Sequence, residues 1–193
     1  MIDFVFPNKN EKEFIYMSEQ LGFNKLCFIY SLKEFQDLKL EGTYSAILCK
    51  SCEIQKARQL SKIILVESSE NNRHVIEKGQ FEIIFNLETD SKKDLTHSKR
   101  SGLNQVLAKI IEKKKKVVGF NFNLLLKSNK GLRVNFLGRM SQNIKICRKY
   151  QLKMLIASFA RFPYEMRAAH DLIAFGITLG MHPKEAKQSL KQF

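Results

Sequence analysis

The sequence predicts an α/β fold, a compact or incomplete TIM-like (β/α) barrel, on three observations. Short runs of β-branched and aromatic residues alternate with amphipathic helical patterns from end to end. Several runs are continuously apolar, which is typical of parallel strands covered on both faces. The chain has 193 residues, whereas a full eight-unit barrel usually needs roughly 250. We therefore expect a single incomplete barrel domain over residues 1–193.

Seven runs have the composition and flanking turn residues of strands. They are Ile2–Phe6, Leu26–Tyr30, Ser45–Cys49, Ile63–Glu67, Glu82–Phe85, Val117–Phe122 and Met154–Ser158. Repeated β–α alternation implies right-handed crossovers and a parallel sheet, either closed as a barrel or open and doubly wound. Seven strands with helices after nearly all of them favour the barrel. We expect its last unit to be irregular around Arg161–Pro163.

Two helical patterns are clear in the second half of the chain. The first has apolar residues at helical spacing, namely Leu103, Val106, Leu107, Ile110 and Ile111. The second has an apolar face and a basic face. Its apolar residues are Leu132, Phe136, Met140 and Cys147, and its predicted solvent-facing residues are Arg133, Arg139, Lys145 and Arg148.

Functional groups in such a barrel gather where strands end and the following loops begin. The predicted strand-end residues are Asn8, Tyr30, Lys50, Ser68, Asn86, Asn123 and Ser158. They are mostly hydrogen-bonding groups, without a cluster of acids or histidines. This pattern does not favour an autonomous catalytic centre.

The sequence gives little support for a metal site or for hydrolysis by paired carboxylates. The four histidines, which lack ligand-like spacing, are His74, His97, His170 and His182. Asp3, Glu67 and Asp171 are the acids able to approach one mouth of the barrel, but Asp171 is equally suited to pair with Arg167 on a shared helix. We expect no catalytic residue, no metal ligand and no cofactor in the protein.

Cys49 and Cys52 follow a strand and open a helix, where the helix terminus lowers a thiol pKa. A zinc site would need two further ligands, and only isolated Cys27 and Cys147 remain. We therefore favour ordinary buried or helix-capping cysteines over a redox or metal site. The N-terminal residues lack a signal-peptide pattern, and no apolar run is long enough to span a bilayer. We expect a cytoplasmic protein without membrane contact.

Positive charge is concentrated in one stretch. The chain's net charge is +14, and residues 100–153 alone contribute +13, with 14 Lys and Arg against the single acid Glu112. A solvated face normally mixes both signs, and self-repulsion of this kind favours a polyanionic partner. We expect phosphate and shape contacts with structured RNA or DNA, and stacking through Phe120, Phe162 or Tyr164.

The order of several short motifs resembles the archaeal ribonuclease P protein component 3 family. Its eukaryotic relatives are the thirty-kilodalton subunits of ribonucleases P and MRP. The motifs are VESSE (66–70), IEKG (76–79), SGLNQVLAKII (101–111), VVGFNFNLLL (117–126), SNKGLRVN (128–135), SFA (158–160) and GM (180–181).

The resemblance implies a barrel related to the polymerase and histidinol phosphatase group. Enzymes of that group place a His-x-His after the first strand, where this chain reads DFVFPN. The implied function is that of a protein subunit of ribonuclease P, the endoribonuclease complex that removes 5′ leaders from precursor tRNA. The implied partners are ribonuclease P RNA, precursor tRNA through the complex, protein component 2 and other protein subunits. Catalysis would belong to the RNA, with its own Mg²⁺.

The expected RNA-binding residues come from two sources. The resemblance carries over Arg73, Lys109, Arg133 and Arg167, and the basic stretch adds Arg100, Lys113, Lys127, Arg139 and Lys145. Family members often have His where this chain has Gln105, and Arg-Pro where it has Asn123 and Leu124. Two alternatives remain: a metal-dependent phosphoesterase or nuclease on the same barrel, and an interaction scaffold whose residues 1–99, with net charge −1, dock partners.

Overall fold

Seven parallel strands form one sheet in a computed structural model that describes residues 1–38, 40–89, 94 and 99–192. Their spatial order follows the sequence. The strands are β1 (Ile2–Val5), β2 (Lys25–Ser31), β3 (Thr43–Leu48), β4 (Ile64–Glu67), β5 (Ile83–Phe85), β6 (Val117–Asn121) and β7 (Lys153–Ala157). Every strand expected from the sequence is present, with ends displaced by one or two residues.

The sheet nearly closes on itself, which confirms the barrel over an open sheet. Val5 forms a parallel bridge with Ala160, just beyond β7, and the Phe6 N–H donates to the Ala160 carbonyl at 2.8 Å. The Asp3 carboxylate strengthens this seam, because it accepts from the Ser158 N–H at 2.7 Å and the Ser158 hydroxyl at 2.5 Å. Seven strands therefore nearly close a barrel that usually has eight.

Helices follow most of the strands and cover the outside of the barrel. They are α1 (Glu11–Gln20), α2 (Ile54–Leu60), α3 (Asn72–Lys78), α4 (Gln105–Lys113), α5 (Phe122–Lys127), α6 (Lys130–Lys149), α7 (Ala169–Thr178) and α8 (Pro183–Ser189). The last unit is irregular as expected, with a short 3₁₀ turn at Pro163–Glu165 before α7. Among the helices of the described residues, none is long and apolar enough to cross a membrane.

The core has two layers, because alternate strand residues point to opposite faces of the sheet. One buried cluster draws on all seven strands and no helix, so it fills the barrel interior. Phe85 and Phe159 stack there with ring centroids 4.7 Å apart. A second cluster, which includes Val5, Phe28 and Ile84, packs between the strands and the helices.

Two expectations for the helical faces are wrong in detail. Val106 is 48% exposed, because the face of α4 that packs inward is the one that carries Leu107, Ala108 and Ile111. Leu132 is also exposed, because the first turn of α6 borders an open cleft instead of the core.

Candidate nucleic-acid interface

Exposed lysines lie on neighbouring helices of the barrel's outer surface. α4 packs against both α3 and α6. We call the surface formed by Arg73 of α3, Lys109 and Lys113 of α4, and Lys145 of α6 the outer basic face. All four side chains are exposed, and the three lysines form no ion pair or hydrogen bond with other described residues. The sequence-predicted RNA contacts are therefore partly gathered on one side of the molecule.

Arg73 has an intramolecular partner within this face. Its Nε lies 2.8 Å from Oε1 of Glu77, one helical turn later. The hydrogen bond from Arg73 lowers the pKa of Glu77 below its usual range. Exposed pairs of this kind are weak, so the guanidinium remains accessible to a phosphate.

The run Lys113–Lys116 divides into two roles. Lys114 donates to the Glu77 carbonyl, and Lys116 donates to the Phe81 carbonyl with its Nζ 5.1 Å from the Phe81 ring centroid. Burial lowers the pKa of Lys116. Lys113 and Lys115 point to solvent. Lys114 and Lys116 therefore bind neighbouring backbone at the end of α4, whereas Lys113 and Lys115 add positive charge to the surface.

Arg139 does not face solvent, so that prediction is wrong. Its side chain is only 7% exposed; Nη2 lies 2.9 Å from Oδ1 of Asp94, and Nη1 donates to the Glu88 carbonyl at 2.8 Å. The reason is geometric, because Arg139 lies on the same inward stripe of α6 as Phe136 and Asn143. Arg139 anchors the helix.

Arg148, also predicted to face solvent, is half-buried. Its Nη2 lies 2.6 Å from Oε2 of Glu185 in α8, and it also donates to the Gly180 carbonyl. The side-chain hydrogen bond with Glu185 raises the pKa of Arg148. This arginine therefore joins two helices of the barrel's covering.

A cluster of buried polar groups contacts the inward face of α6. Asn143 Nδ2 donates to Oε1 of Glu88 and to the Ser101 carbonyl, both at 2.8 Å. Burial raises the pKa of Glu88 to about 7, although the hydrogen bond from Asn143 and the charge of Arg139 oppose the shift. Sequence reasoning missed this cluster, since a lone glutamate beside a predicted strand reads as a surface residue.

A cleft of about 620 Å³ opens at the carboxyl ends of the strands. We call it the barrel mouth. Two predicted strand-end residues, Asn86 and Asn123, line it together with Asn121, which ends β6. The others do not line it. Tyr30, Ser68 and Ser158 bond elsewhere within the fold, and Asn8 and Lys50 are exposed.

Amide side chains form a chain along one wall of the barrel mouth. Asn121 Nδ2 donates to Oδ1 of Asn86 at 2.9 Å, and Asn86 Nδ2 donates to Oε1 of Glu67 at 2.7 Å. Asn121 also caps α5 by accepting from the Leu124 N–H. Asn86 and Phe159 have φ values of 58° and 49°. Left-handed backbone is unfavourable for Phe and is often retained at functional sites.

Glu165 binds three residues that line the barrel mouth, namely Asn123, Lys127 and Arg161. Its Oε2 accepts from Asn123 Nδ2 and from the Arg161 N–H, both at 2.8 Å, and its Oε1 lies 2.9 Å from Lys127 Nζ. Burial alone would raise the pKa of Glu165, but these contacts hold it below its usual range. Lys127, a predicted RNA contact, is thus exposed but ion-paired. The Oδ1 atom of Asn123 is buried without a hydrogen-bond partner in the described residues.

Two exposed aromatic rings lie at the rim of the barrel mouth. Phe162 and Tyr164 stack with centroids 5.4 Å apart and planes 6° from parallel. They are 45% and 72% exposed, and Lys127 Nζ lies 5.8 Å from the Phe162 centroid. Phe120, also considered for stacking, is fully buried in the core and unavailable.

Arg133 has a structural contact in addition to its exposed position. Its Nε donates to the Leu125 carbonyl and its Nη2 to the Ser128 carbonyl, both at 2.9 Å, so it holds the turn between α5 and α6. Arg100 is half-buried, and its Nε has no hydrogen-bond partner in the described residues. Both positions as RNA contacts stay predictions.

Arg167 lies before α7 and not on it. The guanidinium donates to the Met166 carbonyl at 2.7 Å and lies 5.6 Å from the Phe122 ring centroid. The expected helical pair with Asp171 is therefore wrong, and Asp171 instead lies 3.2 Å from Nε2 of His170. Arg167 therefore links the segment of residues 161–167 to α5 through its contact with the Phe122 ring.

The acids of the barrel mouth do not form a metal-binding set. Asp3 is used in the barrel seam, where burial raises its pKa to about 6 against the opposing hydrogen bonds of Ser158. Glu67 is bonded to Asn86, and Asp171 is exposed on α7. Within the described ranges, no three His, Cys, Asp or Glu side chains are grouped to hold a metal ion. His97 lies outside the described residues.

The Cys49 and Cys52 pair lacks the features of a redox site. Burial raises the pKa of the Cys49 thiol to about 11, with Glu53 adding to the shift. A redox dithiol needs the opposite change. Cys52 is exposed in the 3₁₀ turn that precedes α2.

Comparison with known proteins agrees with this geometry. The family model described as RNase P subunit p30 matches residues 48–192. Ribonuclease P protein component 3 of Methanococcoides burtonii is 27% identical over 206 residues, covering 99% of this chain and 82% of the relative.

Two solved structures share the fold. A chain in a cryo-EM structure of archaeal ribonuclease P with mature tRNA matches with a TM-score of 0.82 and 23% identity, covering 99% of this chain and 87% of that one. Histidinol phosphate phosphatase from Lactococcus lactis, complexed with zinc, L-histidinol and phosphate, matches with a TM-score of 0.62 and 9% identity over 94% of each chain. The second match shows that the barrel fold expected from the sequence is shared with a histidinol phosphate phosphatase.

Proposed function

Because this chain belongs to the RNase P subunit p30 family, we propose that it is an RNA-binding protein subunit of ribonuclease P. The complex would remove 5′ leaders from precursor tRNA in the cytoplasm. Its other members would include ribonuclease P RNA, protein component 2 and further protein subunits. The isolated chain would have no catalytic activity.

The outer basic face is the observation that carries this proposal. Lys109, Lys113 and Lys145 are exposed and are not neutralised by acids of the described residues. Lysines placed on adjacent helices can contact several phosphates of one folded RNA. Binding would release counterions, and each phosphate contacted would add about −0.7 to −0.9 to the slope of log affinity against log salt.

The RNA would perform the hydrolysis with its own Mg²⁺, while the protein neutralises phosphates so that the RNA core can compact. The donor set of the barrel mouth supports this division of labour. Asn86, Asn121 and Asn123 present amides where the alternative phosphoesterase would need a cluster of acids and histidines. No observation favours that alternative.

The proposal is tested by affinity purification of the full chain from its own cells, followed by sequencing of the bound RNA. We expect enrichment of ribonuclease P RNA, lost on washing at high salt. A variant lacking three lysines of the outer basic face should recover much less of it. Recovery of no ribonuclease P RNA by the unaltered chain would reject the proposal.

Reconstituted cleavage of precursor tRNA tests one residue at a time. Lys109→Ala should lower the cleavage rate at moderate Mg²⁺ without changing the melting temperature, because its side chain is exposed and forms no hydrogen bond or ion pair with other described residues. Lys187→Ala is the matched control, an exposed lysine on α8 outside the outer basic face. Arg133→Ala should also lower cleavage, but its melting temperature must be measured, since Arg133 holds the α5–α6 turn. Unchanged cleavage with Lys109→Ala and Arg133→Ala would reject both as RNA contacts.

A further inference from the structure

Two exposed aromatic rings, Phe162 and Tyr164, stack on each other at the rim of the barrel mouth. Phe162 is flanked by Lys127 and by Tyr164, and Tyr164 ends the stack at 72% exposed. The segment that carries them is held rigidly, because Glu165 accepts from the Arg161 N–H and Arg167 donates to the Tyr164 and Met166 carbonyls. A fixed stack with one open ring face is a surface for another planar group.

Charges around the barrel mouth are balanced inside and positive at the edge. Lys127 lines the cleft and is paired with Glu165, and Glu67 is an acid of the lining, so the interior does not attract phosphate strongly. At its rim, Arg161 has no ion-pair partner among the described residues. α6 begins there with Lys130 and Arg133 and no acid in its first turn. Cations are unfavourable at the positive end of a helix, so their presence favours an anionic ligand at this edge.

The interior of the cleft suits a polar, planar ligand edge. Asn86, Asn121 and Asn123 line it with amides, which can both donate and accept. The Asn123 amide has a fixed orientation, because its Nδ2 donates to two acceptors, and its Oδ1 is buried without a hydrogen-bond partner among the residues that the structure describes. A buried unsatisfied acceptor is unfavourable and often marks a ligand or water position.

From these features we propose that the barrel mouth binds one unpaired nucleotide of a single-stranded RNA segment, with its base stacked on Tyr164 and its backbone near Arg161 and Lys130. This inference rests on the proposed RNA-binding function and assigns a second, different mode to it. Base–aromatic stacking tolerates any base, and RNA-binding proteins commonly read unpaired bases in this way. Two rings are a small apolar area for a protein partner, whose stable interfaces bury roughly 1,200 Å² or more.

The test uses the full chain and a single-stranded octamer of adenylates with one 2-aminopurine, whose fluorescence falls when it stacks. We expect quenching on binding to the wild type. Tyr164→Ala should weaken octamer affinity about tenfold and abolish the quenching, while Tyr164→Phe keeps both, because the ring suffices. Tyr150→Ala is the matched control, since Lys149 Nζ also lies 5.8 Å from that ring, beyond the opposite end of α6.

The outcomes separate this inference from the proposed function. Binding of ribonuclease P RNA by the wild type without octamer binding, or equal octamer affinity in the wild type and Tyr164→Ala, would overturn the stacking site and leave the proposed function intact. Loss of a protein subunit from the complex with Tyr164→Ala, at unchanged octamer affinity, would assign the rings to a protein contact and also overturn it. Failure to bind either RNA would reject the proposed function itself.

Discussion

The outer basic face and the barrel mouth differ in almost every physical property. The outer basic face has three exposed cations without acidic partners among the described residues, namely Lys109, Lys113 and Lys145. At the mouth, Lys127 is paired with Glu165 and the other groups are amides and rings. The first surface is suited to phosphates, which are repeated and uniform. The second is suited to one nucleotide in a defined position.

The two surfaces also differ in their place on the fold. The barrel mouth lies at the carboxyl ends of the strands. Here hydrogen-bonded amides occupy that end of the strands, and charge lies on the helices outside.

The largest effect is expected for the combined Lys109→Ala/Lys113→Ala/Lys145→Ala variant. Its affinity for ribonuclease P RNA should fall, and the slope of log affinity against log salt should lose about three, roughly one for each phosphate contact removed. A binding titration at four salt concentrations measures this. Tyr164→Ala should leave the slope unchanged. An equal slope in the triple variant and the wild type would remove the distinction between the two surfaces.

A second contrast lies within α6. Arg139→Met should lower the free energy of unfolding by about 3 kcal/mol, because Asp94 loses its buried cation and the Glu88 carbonyl loses a donor. Lys145→Met should change it by less than about 0.5 kcal/mol, as for an ordinary surface substitution. Chemical denaturation provides both values. Equal stabilities would contradict the division of α6 into an anchoring side and a binding side.

The stability contributed by the buried cluster of Glu88 and Asn143, which packs against α6, should depend on pH. The folded-state pKa of Glu88 is raised to about 7, so its contribution to stability is complete below its ordinary pKa and is lost as pH rises through 7. Glu88→Gln removes this titration at one site.

We therefore expect the stability of the wild type relative to Glu88→Gln to fall between pH 5 and pH 8, by about 1.4 kcal/mol for each unit of pKa shift. Urea denaturation at the two pH values measures it. Asp3, whose pKa is raised to about 6, titrates equally in both proteins and cancels. A difference that stays constant with pH would show that Glu88 is already charged in the folded state.

The smallest effect is expected at the cysteines. Cys52 belongs to neither surface, and Cys49 has a raised pKa. The Cys49→Ser/Cys52→Ser variant should bind ribonuclease P RNA with less than about a twofold change in affinity, in the presence or absence of reductant. A larger change would assign these thiols a role that neither surface explains.

The sequence predicted the architecture well because apolar periodicity determines it. Residues 117–120 and 154–157 are uninterrupted nonpolar runs within β6 and β7, and the helices that precede these strands are capped by Asn104 and Asn129. Positions on a long helix were harder to predict. Arg139 is charged and yet faces inward, since Asp94, 45 residues earlier in the chain, provides its partner. Local periodicity contains no information about such a distant contact.

The sequence predicts which types of residue form the candidate sites better than it predicts how those residues are arranged in space. The exposed lysines of α4 and α6 follow directly from the charge concentration. The arrangement of the barrel mouth depends instead on Glu165, whose carboxylate binds Asn123, Arg161 and Lys127. These three residues come from separate segments of the chain. Phe162 and Tyr164 were recognised as candidates for stacking, but their parallel geometry requires the 3₁₀ turn between Phe162 and α7.

The most direct test of the account is the salt dependence of ribonuclease P RNA binding by the full-length wild-type protein. Affinity should fall steeply and log-linearly between about 50 and 200 mM salt, because phosphate contacts by the outer basic face release counterions. A control protein of similar fold without this charge concentration should show no such slope. An affinity that stays constant over the same range would contradict the central claim that this face binds RNA.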